Sequence, residues 1–312
     1  MSGRPTATTV AGAVLAAGAG ALAWGVAVER NRFGVRRERL AILPPGSRPI
    51  RILHLSDLHM APWQTAKQRF VRGLANLEPD LIVETGDVLG HRDGLVGVRR
   101  AFARFRGIPG VFVSGSNDVF GPTAKNPLAY FTGPSRRRDR SERLDYLGLA
   151  AHLSEGLGWH DLNNGGVALD IAGTRLEIVG TGDAHRDWDR LEDVAEIADG
   201  LRLSRPADVE AVQIGVTHAP YRRVLDSLVT NGAQLLLAGH THGGQVRIPG
   251  LPALVANCDL PREKASGLSS WHHAGRTAAL EVSAGIGTSI YAPFRFACPP
   301  EAVLLTLTPR EA

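Results

Sequence analysis

The chain has 312 residues, of which 44% are hydrophobic and 21% are charged, and its formal net charge is +4. This length and composition indicate a globular protein with one large domain and a short extension. Only two cysteines are present, Cys258 and Cys298, which excludes a disulfide-stapled scaffold and a four-cysteine zinc site. No basic stripe interleaved with aromatic residues occurs, so we expect no nucleic-acid-binding module.

The N-terminal region contains an uncharged run of 19 residues from Val10 to Val28. This is about the length that crosses a bilayer, although Ala and Gly give it only moderate hydrophobicity. We predict that residues 1–42 are a membrane anchor through residues 10–28 with a basic juxtamembrane stretch, which places the protein at the cell membrane. A cleaved signal peptide with a small-residue site at Ala21-Leu22-Ala23 and a buried helix are the alternatives.

Arginines are distributed unevenly around this run, and their distribution bears on the orientation of the predicted anchor. Only Arg4 precedes the run, whereas five arginines follow it: Arg30, Arg32, Arg36, Arg37 and Arg39. Positive charge after the run favours a cytoplasmic domain. An exported domain would break this rule, and both faces stay open.

The main domain, residues 43–312, begins at a Pro/Gly linker, Leu43 to Pro49. Apolar strands then alternate with segments of helical spacing, as in Ile50–Ser56, the helix from Gln64 to Leu77, and the strand Asp80–Gly86. Strands separated by helices of this length predict crossover connections and a largely parallel sheet. Later in the chain, Gly166–Gly180 has the pattern of a hairpin, and further strands and helices continue to Pro309.

Five of the predicted strands end in side chains that can bind metal ions. In open sheets with crossover helices, ligands bind beyond the carboxyl ends of the strands, where loops converge. A single Asp after a strand is most often a helix cap, and a single His is most often structural. Five coincidences in one chain favour a common site made of Asp57, His59, Asp87, Asn117, His218, His240 and His242.

The chemistry of this set indicates the kind of metal and the kind of reaction. Carboxylate, amide and imidazole ligands without thiolate suit manganese, iron or zinc. Alternate residues of an extended segment face the same side, so His240 and His242 can chelate together. Seven groups are enough for two divalent ions if one carboxylate bridges them. Such a pair generates a metal-bound hydroxide and binds phosphate oxygens, which predicts a hydrolase of phosphate esters.

These motifs, in their order and spacing, resemble the signature of the calcineurin-like metallophosphoesterases. The matching stretches are Asp57-Leu58-His59, Gly86-Asp87, Gly115-Ser116-Asn117-Asp118, Thr217-His218 and Gly239-His240-Thr241-His242. The resemblance spans Arg51 to Pro309, and the ending resembles a bacterial branch with an N-terminal membrane or export segment. It implies an α/β fold, a four-layer α-β-β-α sandwich in which helices flank two mixed sheets.

The resemblance also implies roles for individual residues. Asp57, His59 and His242 would bind one metal ion, and Asp87 would bridge to the second. Asn117, His218 and His240 would complete the second site, and we name Asp87, Asn117 and His240 as catalytic candidates. Asp183 and His185, in a loop similar to one of this branch, are candidates for contacts with substrate or with the metal ligands, although a plain turn explains them equally well.

One motif departs from the family, which has Gly-Asn-His-Asp or Gly-Asn-His-Glu where this chain has Gly115-Ser116-Asn117-Asp118. Without a gap, Ser116 replaces the Asn ligand and Asn117 replaces the His. With one more residue in the turn, Asn117 is the ligand and the His is missing, which we favour because Ser is a poor ligand. The family His helps the leaving group depart, so its absence points to a substrate with a weakly basic leaving group.

The absent His leaves two hypotheses about function. In the first, the enzyme cleaves a phosphodiester or a pyrophosphate-type bond, as in a lipid-linked or nucleotide-linked diphosphate, unless His185 or His91 serves as the acid. In the second, the protein is a catalytically weakened metal-binding sensor or scaffold. Retention of the other ligands favours the enzyme.

Overall fold

The computed structural model describes residues 7–124 and 141–311. In chain order the strands are β1 (Gly34–Leu43), β2 (Ile50–Leu55), β3 (Leu81–Glu84), β4 (Gly110–Phe112), β5 (His160–Asp161), β6 (Gly165–Ile171), β7 (Thr174–Gly180), β8 (Ala211–Thr217), β9 (Leu235–Ala238), β10 (Gly267–His273), β11 (Arg276–Val282) and β12 (Glu301–Pro309). The helices are α1 (Ala7–Ala27), α2 (Thr65–Gly73), α3 (Gly94–Ala101), α4 (Ser116–Val119), α5 (Tyr146–Ala151), α6 (Leu191–Leu203) and α7 (Arg222–Thr230), and short 3₁₀ and π segments extend or connect them.

The strands form two six-stranded sheets. The first has the order β1-β12-β2-β3-β4-β5, and the second has the order β10-β11-β9-β8-β7-β6. Strands β2 to β5 are parallel, whereas β12 runs antiparallel to β2. In the second sheet β7, β8, β9 and β11 are parallel and the hairpin partners β6 and β10 are antiparallel. The prediction of two mixed sheets flanked by helices is confirmed.

Each central strand is buried on both faces, because one face meets the other sheet and the opposite face meets helices. On β2, Ile50 and Ile52 belong to the core between the sheets, and Leu53 and Leu55 belong to the core under the helices. On β9 the residues alternate in the same way. This two-sided burial explains why the strands read as continuous apolar runs.

Strand β1 was not predicted, because its charged residues placed it in the juxtamembrane stretch of the segment 1–42. In the structure β1 is the edge strand of the first sheet and pairs in parallel with β12. Successive side chains of β1 point to opposite faces of the sheet, and this explains how a charged strand joins the fold. The even-numbered Leu40 and Ile42 pack toward the core between the sheets. Arg36, on the same face, forms ion pairs with Glu301 of the first sheet and Glu281 of the second.

Helix α1 covers most of the predicted anchor. Its 21 residues are enough to cross a bilayer. However, none of the helices in the described ranges is both long enough and apolar enough to do so. The prediction of a single N-terminal anchor at the cell membrane is therefore wrong. The physical reason is the composition of α1, since Ala and Gly side chains contribute little apolar surface.

Candidate metal centre

The seven predicted ligand residues lie just beyond the carboxyl ends of β2, β3, β4, β8 and β9. Parallel crossover connections bring these ends to the same edge of each sheet, and the two sheets face each other across the core. Six of the seven side chains are buried or nearly so, and Asn117 is partly exposed. The fold therefore assembles residues that are far apart in the chain.

One group of three side chains consists of Asp57, His59 and His242. A ligand atom from each lies within 4.8 Å of the others. His242 Nε2 is 3.5 Å from Asp57 Oδ1 and 3.1 Å from His59 Nε2. Two ring nitrogens and a carboxylate oxygen converge on one point, which is the donor arrangement that a divalent transition-metal ion requires.

A second group consists of Asp57, Asp87 and His218 and meets the same distance limit. Asp57 belongs to both groups. Asp87 Oδ2 also lies between the groups, at 3.5 Å from His218 Nε2 and 3.6 Å from His59 Nε2. Two adjacent ions placed here could therefore share carboxylate ligands.

Two buried atoms of these groups have no hydrogen-bond partner among the described residues. One is Asp57 Oδ1 and the other is His218 Nε2. The second oxygen of Asp57, by contrast, accepts hydrogen bonds from Ser56 Oγ at 2.6 Å and from the His240 amide at 2.9 Å. Buried polar atoms are almost always paired, so the two atoms fit positions that bound cations would satisfy.

The charges of the centre also favour the binding of a cation. Burial acts to raise the pKa of Asp57, but the neighbouring His242 and His218 outweigh it and lower that pKa. The pKa of Asp87 is lowered in the same way by His218 and His59. Burial lowers the pKa of His59 and takes the pKa of His242 to about 3. Burial acts to lower the pKa of His218, but the neighbouring Asp87 outweighs it and raises that pKa to about 9. Metal binding requires ionised carboxylates and neutral imidazoles, so His218 would release its proton when an ion binds.

The backbone is strained at this centre. Five of the seven residues have positive φ angles, from 42° to 67°: Asp57, His59, Asp87, His240 and His242. Non-glycine residues rarely adopt this left-handed conformation, and such strain collects at functional sites where the surrounding structure imposes it. The strained backbone therefore costs some stability and points these side chains toward the centre.

The turn after β4 faces the centre through Asn117. Its amide Nδ2 lies 2.5 Å from Asp87 Oδ2, and its backbone N–H donates to Asp87 Oδ1. Gly115 passes so close to Asp87 that a Cβ atom on it would lie 2.1 Å from Asp87 Oδ1. The turn thus brings the Asn117 amide to the centre, whereas the backbone N–H of Ser116 donates to Asp183.

Asp118 organises this turn, a role that the sequence analysis did not assign. Its carboxylate accepts hydrogen bonds from the backbone N–H groups of Gly115, Asp87 and Leu89. Burial raises its pKa to about 7. The signal was available, because Asp118 occupies the acidic fourth position of the family motif.

His240 and the two loop candidates occupy one side of the centre. His240 lies outside both three-residue groups, and its Nε2 is 3.1 Å from the Asn257 carbonyl oxygen. The His185 ring lies beside the His240 ring at an angle of 45°, with 4.4 Å between the ring centroids, and His185 Nδ1 is 3.0 Å from the Tyr221 hydroxyl. Asp183 is fully buried and accepts hydrogen bonds from two backbone N–H groups, so it joins loops and does not face the cavity.

Arg295 is a second residue to which the sequence analysis gave no role. It is fully buried, and its guanidinium donates to the carbonyl oxygens of Ala284, Gly285, Gly287 and Cys298. Its Nη2 also lies 3.4 Å from His242 Nδ1. Arg295 therefore ties the C-terminal loops to the first group of ligands, a contact between residues 53 positions apart that no local pattern signals.

A cavity of about 450 Å³ opens onto the centre. Its floor contains five of the seven predicted ligands, namely His59, Asp87, Asn117, His240 and His242. His185 also lines it, whereas His91 is not among the lining residues and instead packs on Trp63. A substrate in this cavity would reach the centre directly.

Comparison with known proteins agrees with this site. The sequence profile of the calcineurin-like phosphoesterase family matches residues 50–244. The chain is 26% identical to phosphodiesterase YaeI of Escherichia coli K12, over 89% of this chain and 90% of that protein. It is 25% identical to the uncharacterized protein YpbG of Bacillus subtilis 168, over 96% of this chain and 94% of that one.

Among solved structures, TT1561 of Thermus thermophilus aligns with a TM-score of 0.43 and 12% identity, covering 77% of this chain and 91% of that one. The family match, together with the Asp and His groups, does not favour the alternative of a weakened sensor or scaffold. The chain belongs to the calcineurin-like phosphoesterase family and is a metal-dependent phosphoesterase.

Proposed function

We propose that the enzyme hydrolyses phosphodiester or pyrophosphate bonds with two divalent ions, manganese, iron or zinc. The observation that carries this proposal is the sharing of Asp57 by two three-residue groups, with Asp57 Oδ1 buried and unpartnered among the described residues. Asp57, His59 and His242 would hold one ion, and Asp87, His218, Asn117 and His240 would complete the second site. When bound, the ions would supply an activated water molecule and neutralise charge on the phosphate.

The protein side chains would hold the reacting groups in place. Asp87 lies between the two groups, and Asn117 contacts it from the cavity side, so both would orient a phosphate at the floor. Ser56 and the His240 amide fix one oxygen of Asp57 and leave the other free to bind. His185, which lines the cavity beside His240, would contact the substrate.

The substrate we propose has a weakly basic leaving group, as in a lipid-linked or nucleotide-linked diphosphate. The turn after β4 carries the ligand candidate Asn117 but lacks the neighbouring His of the family. Burial lowers the pKa of His185 to about 2, which disfavours the protonated form that a general acid needs, and His91 packs against Trp63. General acid help is worth about 10² to 10⁴ in rate and matters most for an alkoxide, so its absence penalises alkyl esters most.

The test compares the manganese-loaded enzyme on a nucleoside diphosphate-sugar and on a dialkyl phosphodiester. We expect the diphosphate to be hydrolysed at least about 100-fold faster. Asp87→Asn should lose activity on both substrates, while Asp199→Asn, at an exposed position on α6, should retain it. Equal or better turnover of the alkyl ester would overturn the leaving-group proposal, and full activity of Asp87→Asn would overturn the assignment of the centre.

A further inference from the structure

The cavity above the centre has an apolar wall that the hydrolysis of a bare phosphate does not need. Six residues of that wall come from three separate parts of the chain: Leu22, Val26, Val246, Leu254, Pro293 and Phe294. They continue from the polar floor, so a molecule whose phosphate lies on the floor would extend along them. Apolar lining of this kind buries the apolar part of a ligand, while the polar groups of the floor fix its orientation.

Helix α1 contributes to this wall with Leu22 and Val26. The two residues are four positions apart and therefore lie on the same face of the helix. Leu22 is 56% exposed, which is a large exposure for a leucine beside a cavity in the described structure. An apolar substituent of the substrate would remove this surface from water.

The position of α1 is fixed by specific contacts with the C-terminal loop. Glu29, just after α1, is buried and accepts hydrogen bonds from the Cys298 backbone N–H at 2.7 Å and from Trp24 Nε1 at 2.9 Å. The Gly25 carbonyl oxygen accepts from the Arg295 N–H, and a Cβ atom at Gly25 would lie 2.6 Å from the Arg295 carbonyl oxygen. The helix end is therefore held at the cavity by close packing.

The loop of Pro293 and Phe294 is also held in place. Gln245, three residues after His242, donates through Nε2 to the carbonyl oxygens of Ala292 and Phe294, both at 3.0 Å. The Phe296 N–H donates back to the Gln245 carbonyl oxygen. The loop that carries Pro293 and Phe294 is thereby tied to the turn that carries His242. These bonds fix the position of the loop relative to the metal centre.

We propose that this apolar wall binds a hydrocarbon chain attached to the phosphate of the substrate, so that the enzyme selects phosphodiesters of long-chain alcohols. The proposal rests on the proposed function for the position of the phosphate. In the reaction, water adds its hydroxyl to phosphorus, the bond from phosphorus to the leaving oxygen breaks, and the remaining proton neutralises the departing group. The chain stays on the phosphate and lies along the apolar wall.

The test uses methyl and octyl esters of p-nitrophenyl phosphate, which share one weakly basic leaving group and differ only in the chain. Each methylene removed from water is worth about fourfold in binding, so partial burial of the octyl chain should raise kcat/KM at least about 100-fold. Concentrations stay below those at which the octyl ester aggregates. Equal kcat/KM for the two esters would overturn the proposal and leave the phosphodiesterase function intact.

Variants of α1 localise the effect. Leu22→Gln should lower the octyl-to-methyl ratio of kcat/KM about fivefold, since it replaces part of the apolar wall without disfavouring the helix. Leu15→Gln is the matched control, because Leu15 lies on the same helix but outside the cavity lining, and it should leave the ratio unchanged. Val26→Thr, a milder change, should lower the ratio in the same direction. A ratio that neither Leu22→Gln nor Val26→Thr alters contradicts the proposed location.

A binding measurement separates this proposal from the proposed function. Calorimetry of the manganese-loaded protein with octylphosphonate and methylphosphonate needs no turnover. If neither ester is hydrolysed but octylphosphonate binds at least about 100-fold tighter, the proposed reaction fails and the chain site stands. If the two phosphonates bind equally, the chain site fails whatever the activity.

Discussion

Two buried polar clusters in this protein differ in how their charges are balanced. In the metal centre, carboxylates of Asp57 and Asp87 lie among histidines, and Asp57 Oδ1 has no hydrogen-bond partner among the described residues. In the second cluster, Arg36 donates to Glu281, Glu301 and Glu38 through five hydrogen bonds. The first cluster presents carboxylate and imidazole atoms that a metal ion would bind, whereas the second contains its own cation, Arg36.

This difference explains what each cluster does for the fold. Burial disfavours the charge of Arg36, but its hydrogen bonds to Glu281 and Glu301 outweigh that effect and raise its pKa. The three partners come from both sheets, so Arg36 joins the layers. The metal centre instead keeps strained backbone and unpaired atoms, which cost stability in the absence of a bound ion.

Asp57→Asn should have the largest effect, because it removes a charge that both groups of the centre share. We expect kcat for bis(p-nitrophenyl) phosphate with manganese to fall at least about 10³-fold, which corresponds to about 4 kcal/mol. The asparagine can still accept hydrogen bonds from Ser56 and the His240 amide, so the protein should fold. The exposed Asp199→Asn serves as the control, and activity of Asp57→Asn within tenfold of wild type would contradict the shared role.

Arg36→Met should be the largest change in the second cluster. Removal of Arg36 leaves its carboxylate partners uncompensated, and of these only Glu281 is fully buried, so the free energy of unfolding should fall by about 3 kcal/mol. Urea unfolding measures this, and kcat of the folded fraction should stay close to that of wild type. Arg190→Met, at an exposed pair with Asp193, should cost about 0.5 kcal/mol or less. If Arg36→Met cost no more than this control, the cluster would not join the sheets.

His54 lies between the two clusters. We expect its protonation to change the free energy of unfolding by about 2 kcal/mol. It is fully buried, its Nε2 is 2.9 Å from Thr85 Oγ1, and burial together with Arg36 lowers its pKa to about 3. A depressed pKa means that the unfolded chain binds the proton first. The stability that His54 contributes is therefore present above about pH 6.5 and is lost as the pH falls toward 3.

His54→Gln keeps a hydrogen-bond donor but does not titrate. The difference in unfolding free energy between wild type and this variant, measured in urea without metal, should shift by about 2 kcal/mol from pH 7.5 to pH 5. His272→Gln, at an exposed histidine of β10, should show no such shift. A pH-independent difference for His54→Gln would show that His54 is not held neutral by burial.

The sequence was sufficient for the features that depend on local chemistry. Two-sided burial makes central strands such as β2 and β9 continuous apolar runs, so the mixed sheets could be predicted. Strand β1 was missed because Arg36 and its neighbours resemble a solvated basic stretch, although Arg36 is paired across both sheets. The anchor prediction failed because length alone was matched, and the Ala and Gly of α1 supply too little apolar surface.

In the metal centre, too, local sequence patterns could be recognised and contacts between distant residues could not. Ligand types at strand ends could be recognised, because five such ends in one chain are hard to explain as separate caps or structural histidines. The contact of Arg295 with His242 and the docking of α1 through Glu29 and Cys298 could not, because those partners are 53 and 269 positions apart. Whether Asn117 or Ser116 faces the centre also depended on the turn geometry, in which Asn117 contacts Asp87.

The most direct test of the account is the number of ions that the centre binds. Calorimetric titration of the metal-free protein with manganese should show two ions per chain in wild type. Asp57→Asn should lose tight binding at both sites, since Asp57 belongs to both groups of ligands. A wild-type stoichiometry of one or zero, or two ions bound with unchanged affinity by Asp57→Asn, would contradict a dinuclear centre built around Asp57.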